Sequence, residues 1–151
     1  MRLNLGCGND KRKGYINIDI RSVVNPDVVM DIWDVDECYS DVDEILMIDV
    51  LEHFSIVESK EILKKMFGIL KSGGRIKIQC PDLQVIGKKI IYNPTDTNLI
   101  KMLYGGQDYV ENFHRSGFTI PLLRNVLEQI GFEIIETKNI GLNLFIEAKK
   151  P

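Results

Sequence analysis

The chain has 151 residues, 44% of them hydrophobic and 27% charged, which suits one domain with one core. Its net charge of −3 and the absence of any basic block longer than Lys11, Arg12, Lys13 disfavour a nucleic-acid partner. No stretch approaches the roughly 20 apolar residues of a membrane span, and the start, Met1 to Gly6, does not read as a signal peptide.

Taken in order, the chain alternates strands with helices, the pattern of a parallel sheet covered on both faces. A first strand, Arg2 to Leu5, breaks at Gly6 and Gly8. A second runs from Tyr15 to Ile20, with Ile16, Ile18 and Ile20 on one face. Asn25-Pro26 marks a turn, and Val28 to Met30 form a short third strand ending at Asp31. Ile45 to Val50 is an apolar run bounded by charge, as in a central parallel strand.

Ser55 and Glu58 form a capping box for a helix carrying Ile62, Leu63, Met66, Phe67 and Leu70 at helical spacing. Gly73-Gly74 is expected to end it and lead into a strand, Arg75 to Cys80. Thr119 caps a later helix, with Pro121 in its first turn and Gly131 at its stop. Phe132 to Thr137 and Leu142 to Ala148 read as two strands. Only Lys138 to Gly141 lies between them, too few residues for a crossover, so they should be antiparallel neighbours. The expected fold is α/β: a doubly wound, Rossmann-like, seven-stranded sheet, mostly parallel, closed by a C-terminal antiparallel hairpin, with residues 1–151 as one domain.

The segment Leu3 to Asp10 is a strand entering a Gly-x-Gly turn. Glycine is needed where backbone turns sharply and approaches a ligand closely. Alone, the pair fits a plain tight turn. With Asp19 at the end of the next strand, a carboxylate is available to accept from both ribose hydroxyls of an adenosine group. A dinucleotide fingerprint would want a third glycine, where Lys11 stands. Only nine residues, Gly6 to Gly14, separate the two strands. A βαβ crossover usually needs at least about 10–12 residues, so little room remains for a helix whose N-terminus could hold a pyrophosphate. A loop or single helical turn is expected there, which favours an adenosine–sulfonium ligand over NAD.

With these features the chain resembles the class I S-adenosylmethionine-dependent methyltransferases, in particular a small, type 11-like subgroup often linked to surface-glycan pathways. The resemblance is carried by LNLGCGNDKRKGYINIDI (Leu3 to Ile20), ILMIDVLEHF (Ile45 to Phe54), LKSGGRIKIQCPDL (Leu70 to Leu83) and LLRNVLEQIGFEII (Leu122 to Ile135), in the family's order. It implies that Leu5, Gly6, Cys7, Gly8 and Asn9 line the methionine part of the cofactor. Asp19 would bind the ribose, Ile20, Asp31 and Ile32 would meet the adenine, and Asp49 and Val50 would stand beside the methionine and acceptor. Leu51, Glu52 and His53 match the family's Leu-Glu-His segment, and Pro81 and Asp82 the end of the fifth strand. Two departures stand out: Asn4 occupies a position where many such enzymes carry an acid, and the third glycine of the longer motif is missing.

Methyl transfer from a sulfonium needs orientation and desolvation, and a base only where the acceptor loses a proton. The candidate catalytic groups are His53, His114, Asp49 and Asp82. His53 could instead cap its loop, His114 could be a solvated loop residue, and either aspartate could cap the turn that follows it. Cys7 reads as a packing residue. Cys7, Cys38 and Cys80 have neither disulfide nor zinc spacing, so no metal is expected and the thiols suit a cytoplasmic protein. The stretch Gln84 to Asn112, with Tyr92, Tyr104, Gly105, Gly106 and Tyr109, is longer than a crossover needs and reads as a lid. The function this implies is methyl transfer to a small-molecule or glycan-precursor acceptor by a monomer or homodimer. The rival readings are a non-catalytic cofactor-binding or regulatory protein, and a nicotinamide-dependent oxidoreductase.

Overall fold

The computed structural model describes residues 1–151. Strands β1 (Arg2–Leu5), β2 (Ile16–Asp19), β3 (Val28–Val29), β4 (Val42–Ile48), β5 (Leu70–Pro81), β6 (Glu133–Ile140) and β7 (Asn143–Lys149) form one sheet in the order β3-β2-β1-β4-β5-β7-β6. The first five are parallel. Strand β7 lies antiparallel between β5 and β6, so the expected terminal hairpin is inserted into the sheet edge. Helices α1 (Val35–Cys38), α2 (Ile56–Ile69), α3 (Leu83–Tyr92), α4 (Thr97–Tyr104) and α5 (Ile120–Ile130) complete the fold.

Strand alternation divides the sheet into two unlike faces. Leu3, Leu5, Ile45, Met47, Ile76, Ile78, Ile146 and Ala148 point to one face and are fully or almost fully buried. They share a core with Ile62, Leu63 and Met66 of α2 and Leu123 and Leu127 of α5. The other face carries a ladder of charge, in which Lys77 pairs with Glu44 (2.7 Å), Arg75 pairs with Glu147 (3.0 Å), and the Tyr15 hydroxyl donates to Glu44. The first crossover supplies no helix: residues Gly6 to Tyr15 form turns, as their number requires.

The helix boundaries follow local chemistry. Ser55 accepts from Glu58 N–H while Glu58 accepts from Ser55 N–H, completing the capping box of α2. Thr119 caps α5, and Gly131 (φ +117°) stops it. The glycine pair after α2 does something other than end it. The helix stops at Ile69, Leu70 is already extended and paired with Val42, and Gly73-Gly74 form an irregularity within β5. A Cβ on Gly74 would lie 2.8 Å from the carbonyl oxygens of both Lys71 and Val42, so that crossing tolerates no side chain. Other corrections are small. Ile20 lies beyond β2 and is 48% exposed rather than on the buried face, Met30 lies beyond β3, and β6 runs on to Ile140, leaving a two-residue turn.

Two buried amides fix the loop after β1. Asn4 pairs in register with Asn17 across β1 and β2, and its amide donates to Asn17 Oδ1 (3.0 Å) and to the Asp10 carbonyl (2.8 Å). Asn17 in turn accepts from Arg12 N–H (2.7 Å) and donates to the Asp27 carboxylate (2.7 Å). Asp27 can only accept and Arg12 N–H can only donate, so the orientation of Asn17 is determined and Asn4 must present its NH₂. Asn4→Asp, which restores the acid common among the proteins this chain resembles, faces a carboxylate toward two acceptors. We expect it to cost about 2 kcal/mol or more in urea unfolding; a variant as stable as the parent contradicts this network.

Candidate functional site

The carboxyl ends of β1, β2 and β4 open onto one cleft, the position where parallel sheets hold ligands. At the end of β1 the backbone bends at Gly6 (φ +61°) and Gly8 (φ +49°). A Cβ on Gly6 would stand 2.6 Å from Val50 Cγ2. Cys7 between them is buried, its N–H donating to the Ile18 carbonyl, and burial pushes its thiol pKa up.

Two cavities meet at this bend. The first, of about 330 Å³, is lined by Leu5, Gly6, Asp19, Ile20, Asp31, Ile32, Asp49, Val50 and His53, together with Arg21, Met30, Phe54, Tyr109 and Arg115. The second, of about 570 Å³, is more polar. It is lined by Gly6, Cys7, Gly8, Asn9, Asp49, Glu52, His53 and His114, with Arg21, Lys101, Tyr109, Asn112 and Asn143 among the rest. Every residue expected at the ligand therefore lines one cavity or both. Gly6, Asp49 and His53 line both and mark where the cavities join.

Asp19 is 5% exposed, and its carboxylate accepts from Gly8 N–H (2.8 Å) and Arg21 N–H (2.9 Å). It thus joins the glycine bend to the end of β2 while keeping lone pairs for a ligand. The Arg21 guanidinium lies 3.4 Å from Asp19 and stacks over the Tyr109 ring at 4.3 Å, bridging the two cavities. The sequence carried no signal for Arg21; its neighbourhood to Asp19 alone places it there. Asp31 caps the short turn Ile32–Asp34 by accepting from Trp33 N–H (3.1 Å).

Of the four candidate catalytic groups, three converge and one does not. Asp49 leaves β4 in a left-handed conformation (φ +53°), and burial raises its pKa. The imidazoles of His53 and His114 meet edge to face at 4.9 Å, and burial lowers both pKa values. Asp82 lies apart. It is buried and caps α3 through Gln84 N–H (2.8 Å) and Val85 N–H (3.3 Å), accepts from Asn139 (2.7 Å), and lines neither cavity.

The group not given a role by sequence reasoning is Glu52. It is 1% exposed, neither carboxylate oxygen has a hydrogen-bond partner, and burial pushes its pKa up to about 8. Its carbonyl accepts from Arg115 N–H (2.8 Å) and Ser116 N–H (3.1 Å), which brings His114 against it from far along the chain. From the expected lid, Lys101, Met102, Gly105, Gly106, Tyr109 and Asn112 reach the second cavity, whereas Tyr92 and Tyr104 line neither.

The two glycines of the bend make unequal demands. Gly6→Ala suffers both the left-handed backbone and the Val50 clash, about 2–4 kcal/mol together. Gly8→Ala meets nothing nearer than 3.7 Å, so only the backbone cost of about 1–2 kcal/mol applies. Urea unfolding of the two variants checks this; equal losses contradict the packing described.

No family model matches the sequence, and no curated protein does. Solved structures do match. An S-adenosylmethionine-dependent methyltransferase from Archaeoglobus fulgidus superposes with a TM-score of 0.69 at 17% identity, covering 99% of this chain and 85% of that one. One from Methanosarcina mazei gives 0.69 at 21% identity, covering 99% and 91%. The 1,6-didemethyltoxoflavin N1-methyltransferase of Burkholderia thailandensis, solved with 1,6-didemethyltoxoflavin and S-adenosylhomocysteine bound, gives 0.67 at 17% identity, covering 99% and 70%. Against two longer O-methyltransferase-type matches the chain spans about half their length. The sheet order, the terminal hairpin and these superpositions together establish that the chain has the fold of the class I S-adenosylmethionine-dependent methyltransferases.

Proposed function

We propose that this chain, read as one domain over residues 1–151, is a methyltransferase that takes its methyl group from S-adenosylmethionine. One observation carries the reading: the glycine bend, the Asp19 carboxylate and the adenine-side residues Ile20, Asp31 and Ile32 line a single cavity at the carboxyl edge of the sheet. The residues fit the group. Asp19 can accept from two adjacent hydroxyls, Ile20 and Ile32 offer apolar surface to a base, and the bend excludes any Cβ at Gly6. The helix-free crossover, Gly6 to Tyr15, has no N-terminal dipole for a pyrophosphate, which weighs against a nicotinamide dinucleotide.

The cofactor supplies an electrophilic methyl on positive sulfur; the chain supplies orientation, exclusion of water and, where needed, a proton acceptor. Asp49 is the proton acceptor best disposed for this, since it stands where the cavities join and burial raises its basicity. The acceptor belongs in the second cavity. That cavity is polar, and the buried oxygen of Asn143 lacks a partner there. A small, hydroxyl- or amine-bearing molecule, a glycan precursor among them, suits it. Residues Lys101 to Asn112 act as its lid. No helix is long and apolar enough to cross a membrane. We read the protein as cytoplasmic, supported by three free thiols, and as a monomer or homodimer.

Isothermal titration with S-adenosylhomocysteine tests the cofactor. The parent should bind, and Asp19→Ala should weaken binding by about tenfold or more, the loss of charge-assisted hydrogen bonds; Asp19→Asn, which keeps the shape, should fall between. No binding by the parent, or equal affinity in all three, contradicts the reading. Release of S-adenosylhomocysteine on adding polar acceptors separates turnover from mere binding.

A further inference from the structure

We infer that Glu52, His53 and His114 form a binding site for a divalent transition-metal ion of the zinc type in the wall of the polar cavity. One ligand atom from each residue lies within 4.8 Å of the other two. His114 Nδ1 lies 3.0 Å from the Met102 carbonyl and His53 Nδ1 lies 3.3 Å from the Phe113 carbonyl. A carbonyl only accepts, so each Nδ1 carries the hydrogen and each Nε2 keeps its lone pair. A backbone carbonyl holding one ring nitrogen while the other stays free is the usual outer support of a metal-bound histidine.

The gap between His114 Nε2 and Glu52 Oε1 is 3.9 Å. Both atoms present lone pairs, so nothing but a cation, a proton or a donor molecule makes this approach favourable. Two ligands bound at about 2.0–2.2 Å stand ~3.4 Å apart at a tetrahedral angle, and ~4.2 Å apart when opposite one another, so 3.9 Å falls within the span of a shared ion.

Two nearby cations are engaged elsewhere, Arg115 with Glu58 (3.3 Å) and Arg21 with Asp19 (3.4 Å), and Lys101 lines the same cavity without a carboxylate partner. Asp49 adds a second carboxylate to the same wall. Two histidines and one glutamate leave an open position facing the cavity, the arrangement of a zinc site that takes a further oxygen or nitrogen ligand. Sequence spacing gives no hint of it, since Glu52 and His53 are adjacent and His114 is remote. Only the role of the ion, holding an oxygen or nitrogen of the acceptor, rests on the proposed function. Binding of the ion does not.

The test is a zinc titration of the full chain in a Cys38→Ser background, stripped with chelator and read against a chromophoric competitor. The expected result is one zinc per chain, with affinity falling at least about tenfold in Glu52→Gln and in His114→Ala, each checked for folding by circular dichroism. In the parent, which has only two histidines, zinc should shift both imidazole resonances, a reading that needs no variant. Substoichiometric binding, unchanged affinity in both variants, or a shift of one imidazole or neither overturns the site. Zinc uptake without S-adenosylhomocysteine uptake would sink the proposed cofactor alone; the converse would sink the metal alone.

Discussion

The cleft depends on a pair of amides buried between the first two strands. Asn4 and Asn17 are side by side within the strands, and their hydrogen bonds tether Asp10, Arg12 and Asp27. A loop without a helix has no regular ladder of its own, so its backbone groups need partners from side chains. The amides supply them. Given that tether, the bend at Gly6 and Gly8 has one path, and the Asp19 carboxylate can accept from Gly8 N–H and hold the bend against β2. Asn4, an oddity beside the acid common in similar proteins, is what this shorter connection requires.

A second constraint is electrostatic. The loop after β4 brings Asp49, Glu52 and His53 to the sheet edge within five residues, and the segment Phe113 to Ser116 closes over them through hydrogen bonds to the Glu52 carbonyl and His53 ring. The outcome is a buried carboxylate with no partner, an arrangement that costs folding energy unless a ligand or proton resolves it. Unresolved polarity of this kind concentrates where a protein binds or reacts. Here it lies in the wall of the second cavity, beside His53, which lines both cavities, whereas both carboxylate oxygens of Asp82, equally buried, have hydrogen-bond partners.

Much of the fold was legible because local signals agreed. The capping box at Ser55, the stop at Gly131 and the short link before the last strand each specify one geometry. The misread glycine pair, Gly73-Gly74, shows the limit. A helix stop and a strand irregularity use the same residues, and only the contact with Val42 distinguishes them. The helix-free first crossover was legible, since nine residues leave little room for a crossover helix. At the site, residues at strand ends were readable because topology sends them to one edge. The stacking of Arg21 on Tyr109 and the Glu52–His114 approach were not, because they depend on how a distant segment folds back.

The central claim is that the cavity beside the glycine bend is an adenosyl site. A crystal structure of the chain grown with S-adenosylhomocysteine tests it most directly. The account predicts the ribose hydroxyls on Asp19, the base between Ile20 and Ile32, and the sulfur near Asp49 where the cavities join. A ligand bound elsewhere, or one whose ribose leaves Asp19 untouched, contradicts it.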